Sequence, residues 1–171
     1  MRKLLILGAG GYGRTVADAA RQLGVYDKIG FLDDGRSGGE ILGKCEEYDL
    51  FCDDDTEVYP AFGNNQVRKQ WLERLQWEDI PVATLVHPNA YVSPTAKLGA
   101  GVVVLPMAVV NTGCVLESGC IINIGALVDH DCVLESCVHL CPGVVVKAQN
   151  RIPAETKVES GTVILNGTYS L

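Results

Sequence analysis

Long apolar runs are absent from the sequence, and none approaches the roughly twenty residues that a membrane-spanning helix needs. The run from Leu4 to Leu7 follows two basic residues, as in a secretory signal, but it ends at Gly8 without a small-residue cleavage site. Basic residues are in deficit, with 14 Lys and Arg against 21 Asp and Glu and a net charge of −7. We therefore expect no membrane and no nucleic-acid partner, because both favour a basic face.

Histidine is scarce and cysteine occurs in an odd number, since the chain has three histidines and seven cysteines. An odd number of cysteines without a cleavable signal is typical of free thiols in a reducing cytoplasm. The 171 residues, 47% hydrophobic and 20% charged, are enough for two compact modules.

What the sequence does contain is a six-residue repeat over residues 86–169. Val, Leu or Ile occupies every sixth position from Val86 to Ile164, fourteen in all. A second ladder of small or β-branched residues lies four places later, at Ala90, Ala96, Val102, Ala108, Cys114, Cys120, Ala126, Cys132, Val138 and Val144. Glycine marks a third position, at 101, 113, 119, 125, 143, 161 and 167.

This repeat predicts short strands joined at corners and stacked into a parallel β-helix. The small residue and the aliphatic residue two places later point to the same side of a strand. Stacked hexads bury a continuous aliphatic core that no single repeat could bury alone, and glycine suits corners that need a positive φ. A β-sandwich with accidental spacing is the disfavoured alternative.

The first 85 residues have the pattern of a small Rossmann-like α/β domain. A strand over Lys3 to Leu7 precedes the turn GAGGYG at 8–13 and a helix from about Arg14 to Leu23. In such a turn the first glycine permits the bend, the second lets the backbone approach a phosphate, and the third allows close helix packing. A second strand, Lys28 to Leu32, ends at Asp33-Asp34, where an acid would hold a ribose hydroxyl.

The remaining elements limit the ligand of this module. Short strands are predicted over Asp49 to Cys52, Glu57 to Phe62 and Pro81 to Leu85, with a helix over Asn64 to Trp77. This length provides one mononucleotide-binding half of a Rossmann fold, so NAD would lack its second half-site. We therefore expect a nucleotide-linked ligand with one base; a redox dinucleotide and a turn that binds nothing are the alternatives.

The histidines at 130 and 139 lie outside both ladders. His130 falls at a corner between Asp129 and Asp131, whose carboxylates can orient the imidazole and stabilise its protonated form, as a general base near neutral pH requires. His139 falls on an outward position nine residues later, half a coil, so we expect the two on different faces of one subunit. The third, His87, stands beside a proline at the module junction and is predicted to be structural.

These motifs together resemble one bacterial enzyme family. The motifs that carry the resemblance are GAGGYG, Asp33-Asp34, AFGNN at 61–65, His87-Pro88, IIN at 121–123, DHDC at 129–132 and HLCPG at 139–143. With these motifs the chain is similar to the sialic-acid O-acetyltransferase and UDP-4-amino-sugar N-acetyltransferase family of hexapeptide-repeat acyltransferases, over nearly its whole length to about Val146.

The resemblance implies a fold and an activity. It implies a small α/β Rossmann-like domain over 1–85 that binds a sugar or nucleotide sugar, followed by a left-handed parallel β-helix over 86–171. It implies a homotrimer with sites between adjacent β-helices and acetyl-CoA as co-substrate, and the cysteine content predicts that this protein is cytoplasmic. The reaction would move an acetyl group to a hydroxyl or amine of the sugar.

Residue roles also follow from the resemblance. His130 would be the general base, and Asp131 would raise its basicity. His139, Gly143 and Lys147 would contact acetyl-CoA. The positions expected around the sugar or nucleotide sugar are Gly11, Tyr12, Gly13, Asp33, Asp34, Gly63 and Asn123; the family more often has His where this chain has Tyr12.

Other functions remain open or are disfavoured. A zinc enzyme of the γ-carbonic-anhydrase kind is disfavoured, because the histidine intervals of 43 and 9 residues do not match its ligand spacing. The alternation of Cys137, His139 and Cys141 has no fourth ligand at zinc spacing, so no metal is expected. Glycine-led hexads give way to KAQNR at 147–151. A non-catalytic trimeric ligand-binding or scaffold protein with a lost coenzyme site therefore stays open as the alternative.

Overall fold

The computed structural model describes residues 1–170, which divide into two compact units. The first unit is Met1–Ala83, and the second begins at Thr84. Each unit has its own sheet system and its own hydrophobic core.

The N-terminal unit is built on a four-stranded parallel sheet. Its strands are β1 (Lys3–Leu7), β2 (Lys28–Leu32), β3 (Ile41–Gly43) and β4 (Thr56–Pro60), in the spatial order β3-β2-β1-β4. Its helices are α1 (Gly11–Leu23), α2 (Asn65–Trp77) and a 3-10 helix (Cys45–Phe51). The predicted half-Rossmann arrangement is confirmed, because β1 pairs in parallel with β2 on one side and β4 on the other.

Helix α1 packs closely against the turn that precedes it. A Cβ atom on Gly13 would lie 1.9 Å from the carbonyl oxygen of Gly8, so only glycine fits there. Gly8 itself has φ +99°, a conformation that side-chain-bearing residues avoid. The predicted roles of these two glycines in the bend and in helix packing are confirmed. The helix starts at Gly11, three residues earlier than predicted.

Two predicted strands of this unit are wrong or incomplete. Residues 49–52 were predicted as a strand, but 49–51 belong to the 3-10 helix. The Glu47 carboxylate stabilises the start of this helix, because it accepts the Lys44 N–H at 2.7 Å. Leu50 is 73% exposed, so no buried face supports an extended strand there. The predicted strand Pro81 to Leu85 is reduced to a single bridge between Val58 and Val82, followed by a two-residue strand that starts at Leu85.

The second unit is a left-handed parallel β-helix, as predicted. Fourteen two-residue strands, β5 to β18, form three parallel sheets in which every third strand is a neighbour. They are Leu85–Val86, Tyr91–Val92, Lys97–Leu98, Val103–Val104, Val109–Val110, Val115–Leu116, Ile121–Ile122, Leu127–Val128, Val133–Leu134, His139–Leu140, Val145–Val146, Arg151–Ile152, Lys157–Val158 and Val163–Ile164. Each residue therefore pairs with the residue 18 positions later, as Val103 does with Ile121 and Ile121 with His139.

Both sequence ladders line the core of this β-helix. The aliphatic ladder and the small-residue ladder form one cluster of buried or partly buried side chains, which includes Cys114, Cys120 and Cys132. All seven cysteines lie within the described residues and are free thiols. The predicted inward orientation of the three ladder cysteines is confirmed.

Corner residues adopt a left-handed backbone at every sixth position from 101 to 167. Glycine occupies seven of these twelve positions, as the sequence predicted. The other five are non-glycine residues with φ between 56° and 61°: Met107, Asp131, Cys137, Gln149 and Glu155. The backbone at a corner therefore forms with or without glycine, because the stacked coils on either side fix its conformation.

Candidate active site

His130 lies at an exposed corner between β12 (Leu127–Val128) and β13 (Val133–Leu134). Its side chain is 49% exposed, and Nδ1 lies 2.8 Å from Oδ2 of Asp131. This hydrogen bond raises the pKa of His130 above its ordinary value, and the nearby carboxylate of Asp129 acts in the same direction. With Nδ1 bonded to a carboxylate, Nε2 is the nitrogen available to take a proton from a substrate.

Asp129 holds the backbone of this corner. Its Oδ1 accepts the His130 N–H at 2.8 Å and the Asn111 side-chain N–H at 3.2 Å. The hydrogen bond from His130 holds the pKa of Asp129 below its usual range. The two acids that flank His130 thus bond different groups: Asp131 bonds the imidazole ring, and Asp129 accepts the backbone N–H.

His139 and Asn123 form a second polar pair, on β14 (His139–Leu140) and at the end of β11 (Ile121–Ile122). His139 is 8% exposed, and its Nε2 lies 3.3 Å from Nδ2 of Asn123. Because the amide nitrogen can only donate, Nε2 of His139 is the acceptor in this contact. Although His139 was predicted to point outward, its side chain is buried, and the structure does not bring it to the corner of His130.

A groove runs along the sheet that contains β9 (Val109–Val110), β12 and β15 (Val145–Val146). It has a volume of about 560 Å³. Its floor is apolar and its edge is polar: Val109, Leu127, Val128, Val145 and Val146 line the floor, and Asn111, Asp129, Lys147 and Asn166 line the edge. Lys147 therefore lies in the same groove as Asp129, which accepts the backbone N–H of His130. Gly143 is exposed at another corner, with φ +70°.

Four of the predicted substrate-binding residues line one cavity of about 420 Å³ in the N-terminal unit. These are Gly11, Tyr12, Asp33 and Gly63. In the described part of the chain, no atom beyond the adjacent residues and the helix's own backbone lies within 4 Å of a Cβ built on Gly10, Gly11 or Gly63, so the backbone there is open to a ligand. Gly13 does not line this cavity, because it is buried against Gly8.

The cavity also contains two groups that are already bonded. The Tyr12 hydroxyl lies 2.6 Å from that of Tyr59, and burial raises the pKa of Tyr12 well above its ordinary value. Desolvation opposes ionisation of Asp33, but hydrogen bonds from the backbone N–H groups of Ala9, Gly35 and Arg36 outweigh it and lower the pKa of this carboxyl. Asp33 therefore fixes the Gly turn to the β2 loop.

Asp34 is separate from that cavity. Its Oδ1 accepts the Cys45 N–H at 3.0 Å, and its carbonyl accepts the Lys44 ammonium at 2.5 Å. Both contacts attach the loop after β2 to the 3-10 helix. The structure thus brings Asp33 to the candidate substrate cavity and directs Asp34 away from it.

Two arginines that the sequence analysis did not select lie next to this region. Arg14 and Arg36 line a second cavity of about 590 Å³. Asp18, Phe31 and Glu40 also line this cavity. The sequence held a signal for both, since Arg14 follows the last glycine of the turn and Arg36 follows the paired acids. They supply local positive charge to a chain whose net charge is −7.

Residues 1–170 contain neither a metal-binding cluster nor a helix able to span a membrane. Among them, no group of three or more His, Cys, Asp or Glu side chains is arranged to hold a metal ion. Neither long helix of the described chain combines the length and hydrophobicity that a membrane crossing requires.

Comparison with known proteins gives a match at the level of sequence. Residues 3–75 match the family described as the PglD N-terminal domain. The UDP-N-acetylbacillosamine N-acetyltransferase of Bacillus subtilis (strain 168) is 32% identical over 114 residues, which cover 61% of this chain and 52% of that protein. The match thus spans about half the length of this curated relative.

Solved structures extend the likeness to both units. The acetyltransferase domain of PglB from Neisseria gonorrhoeae FA1090 has a TM-score of 0.93 at 38% identity, covering 95% of this chain and 82% of that chain. The same domain in complex with acetyl coenzyme A gives the same TM-score, with 81% of that chain covered. WeeI from Acinetobacter baumannii AYE has a TM-score of 0.89 at 23% identity, covering 98% of this chain and 82% of that chain, which shows the fold alone.

Proposed function

Because the chain belongs to the hexapeptide-repeat sugar acetyltransferase family, we propose that it transfers an acetyl group from acetyl-CoA to the amine of a nucleotide-linked amino sugar. The observation that carries this proposal is the exposed pair of His130 and Asp131, with Nδ1 2.8 Å from the carboxylate. The amine is preferred over a hydroxyl because the curated relative is named as an N-acetyltransferase of a UDP-linked sugar.

The His130 imidazole acts as the general base in this reaction. Its Nε2 takes a proton from the amine as the nitrogen lone pair attacks the thioester carbonyl carbon. The new C–N bond forms, the C–S bond breaks, and the CoA thiolate leaves and takes up a proton. Asp131 stabilises the imidazolium through Nδ1, which is the same interaction that raises the pKa of His130.

The N-terminal unit holds the nucleotide sugar in this proposal. The open backbone at Gly10, Gly11 and Gly63 faces the cavity, and the first N–H groups of α1 have no intrahelical partner, so they can bind phosphate. Arg14 and Arg36 supply charge for a diphosphate in the adjoining cavity. A chain with a net charge of −7 needs such local groups to bind an anion.

The groove beside β12 fits acetyl-CoA. An apolar floor between polar edges suits the pantetheine arm, which alternates methylene groups with amides, and Lys147 is available to a phosphate of the coenzyme. The PglB domain, 38% identical to this chain, has been solved with acetyl coenzyme A. His139, Asn123 and Gly143 keep their proposed places near the thioester, the acceptor and the coenzyme in a site that a neighbouring copy completes, because His139 does not reach His130 of its own chain.

A homotrimer would complete the site. The outward residues of the sheet beside this groove are apolar in every coil, and three of them are 40% to 54% exposed: Tyr91, Leu127 and Val163. A second copy of the chain would cover this column and place acetyl-CoA between adjacent β-helices. The free thiols fit a reducing compartment such as the cytoplasm.

The test is an assay of acetyl transfer from acetyl-CoA to UDP-linked 4-amino sugars. Release of the CoA thiol measures the rate, and mass spectrometry identifies the acetylated product. His130→Ala should reduce kcat by at least about a hundredfold, the scale of losing a general base, with the coenzyme still bound in calorimetry. Ser160→Ala is the matched control, because Ser160 is an exposed corner residue at the same hexad position and should retain full activity. Unchanged turnover in His130→Ala would refute the base, and wild-type protein that binds no acetyl-CoA at millimolar concentration would favour the scaffold alternative.

A further inference from the structure

We infer that the turn Asn111–Cys114, one coil before His130, is a positioning element that holds the His130–Asp131 pair in its reactive geometry. The inference rests on the proposed function and deepens it by assigning a positioning role to the turn before His130, of which Asn111 also lines the groove proposed for acetyl-CoA. It is carried by four contacts, one from each residue of the turn, and all of them reach residues 129–131.

Three of these contacts are hydrogen bonds. Asn111 donates its side-chain N–H to Oδ1 of Asp129 at 3.2 Å, and the Cys114 thiol donates to the Asp129 carbonyl at 3.0 Å. The Thr112 carbonyl accepts the N–H of Asp131 at 2.9 Å. Asp129 in turn accepts the N–H of His130. The main chain on both sides of the imidazole is therefore tied to the preceding coil.

The fourth contact depends on a missing side chain. A Cβ atom on Gly113 would lie 2.4 Å from Oδ1 of Asp131. The other oxygen of that carboxylate is the one that bonds His130 at 2.8 Å. Gly113 cannot retreat easily, because its N–H donates to the Thr95 hydroxyl at 3.1 Å. Any side chain at 113 would therefore displace the carboxylate from the imidazole.

Backbone conformation alone does not explain the glycine at 113. Its φ is +71°, yet Met107, Gln149 and Glu155 adopt φ near +60° at equivalent corners. At Gly161, with φ +72°, no atom of the described chain lies within 4 Å of the added Cβ. What distinguishes Gly113 from these corners is the carboxylate that occupies its Cβ space.

The Cys114 contact also has a counterpart away from the site. Cys120, one-third of a coil after Cys114 and equally buried, donates its thiol to the Glu135 carbonyl at 3.2 Å. The Glu135 carbonyl also accepts the Val138 N–H at 3.3 Å, and this corner carries no histidine. The same thiol-to-carbonyl contact thus occurs once beside the general base and once remote from it.

Displacing Asp131 has a predictable effect on pH dependence. The titratable groups that act on His130 are Asp131, Asp129 and the Cys132 thiol, and Lys147 lies one coil beyond Asp129 in the same column. Loss of the Asp131 contact lowers the pKa of His130 towards its ordinary value. The acid limb of the pH profile of kcat/KM then moves to lower pH, and the plateau of kcat falls because the base is weaker and less well oriented.

The experiment compares Gly113→Ala with Gly161→Ala. Both variants carry the cost of a left-handed alanine, so both should lower the thermal midpoint by a similar amount. Only Gly113→Ala should lower kcat, by roughly tenfold, and shift the acid limb, with the KM for acetyl-CoA changed by less than about twofold. Equal kcat values and equal pH profiles in the two variants would overturn the inference.

A second pair covers the case in which Gly113→Ala does not fold. Alanine occupies the same ladder position at 96, 108 and 126, so Cys114→Ala and Cys120→Ala fit the core. Cys114→Ala should lower kcat several-fold, Cys114→Ser should restore it by keeping a donor, and Cys120→Ala should match wild type. Equal kcat in Cys114→Ala and Cys120→Ala would contradict the role of Cys114.

An activity-independent readout separates this inference from the proposed function. NMR titration of the His130 imidazole should show a raised pKa in wild type and in Gly161→Ala, and a lower one in Gly113→Ala. If wild type transfers no acetyl group but shows this pattern, the proposed function fails and the positioning role stands. If transfer occurs and the His130 pKa is the same in both glycine variants, the positioning role fails alone.

Discussion

Two glycines of one turn, Gly11 and Gly13, have opposite surroundings. A Cβ on Gly13 would overlap the Gly8 carbonyl at 1.9 Å, whereas no atom within residues 1–170 comes within 4 Å of a Cβ on Gly11. Gly13 is therefore required by packing. Gly11 is required, under the proposed function, only by the ligand that approaches the turn.

Alanine substitutions should separate these two requirements. Gly13→Ala should lower the free energy of unfolding by about 2 to 3 kcal/mol, because the clash is with backbone and cannot be relieved by a rotamer change. Gly11→Ala should change it by no more than about 1 kcal/mol but weaken binding of a UDP-linked sugar. Urea denaturation and calorimetry measure the two effects; a Gly11→Ala variant with wild-type affinity would place the ligand elsewhere.

The last coils of the β-helix depend on a buried amide. Asn150 occupies a position in the small-residue ladder and is fully buried. Its Nδ2 donates to the carbonyls of Lys147 at 2.8 Å and Leu165 at 3.0 Å, and its Oδ1 accepts the Tyr169 N–H at 3.0 Å. This one buried side chain therefore connects backbone groups of three segments through three hydrogen bonds.

Asn150→Ala should lower the free energy of unfolding by about 2 kcal/mol, because alanine fits the ladder but removes the three hydrogen bonds of the buried amide. Hydrogen exchange should show faster exchange of the Tyr169 amide. Asn166→Ala, at an exposed position in the same region, is the control and should change stability by less than about 0.5 kcal/mol. Unchanged protection of Tyr169 would show that the amide is not what fastens these coils.

The three faces of the β-helix differ in the outward residues that they present. One face presents Lys97, Val115, Val133 and Arg151, with charged residues at both ends. The face with the groove presents Tyr91, Val109, Leu127, Val145 and Val163, all apolar apart from one phenol. A column of this kind favours burial against another chain, and a second copy is the occupant that the proposed trimer provides.

Charge placed in that column should disrupt the trimer. We expect wild type to have the mass of three chains in light scattering, and Leu127→Glu to shift it towards one, because a carboxylate would be buried in an apolar interface. Lys97→Glu, an exposed substitution on another face, should keep the mass of wild type. Wild-type protein that elutes as a monomer at micromolar concentration would contradict the proposed assembly.

The β-helix could be derived from the sequence because its two ladders repeat with a fixed period. Each hexad meets the same environment as the hexad 18 residues away, so an aliphatic or small side chain is required at the same place in every coil. The strands β1 and β2 and the fit of Gly13 were predictable for a similar reason, since they depend on residues close in sequence. The segment 49–52 was not, because the strand tendency of its apolar residues Leu50 to Cys52 is overridden by the contact from Glu47 that starts the 3-10 helix.

The sequence by itself determined which residues we propose for the chemistry, because His130 and its two flanking acids are adjacent in the chain. Only the tertiary structure decided which acid bonds the ring, that Asp33 and Asp34 face different surroundings, and that Gly113 leaves space for Asp131. These facts depend on contacts between coils or between strands and loops. A contact between residues 18 positions apart exists only when the stacking register is fixed, and that register is a property of the folded chain.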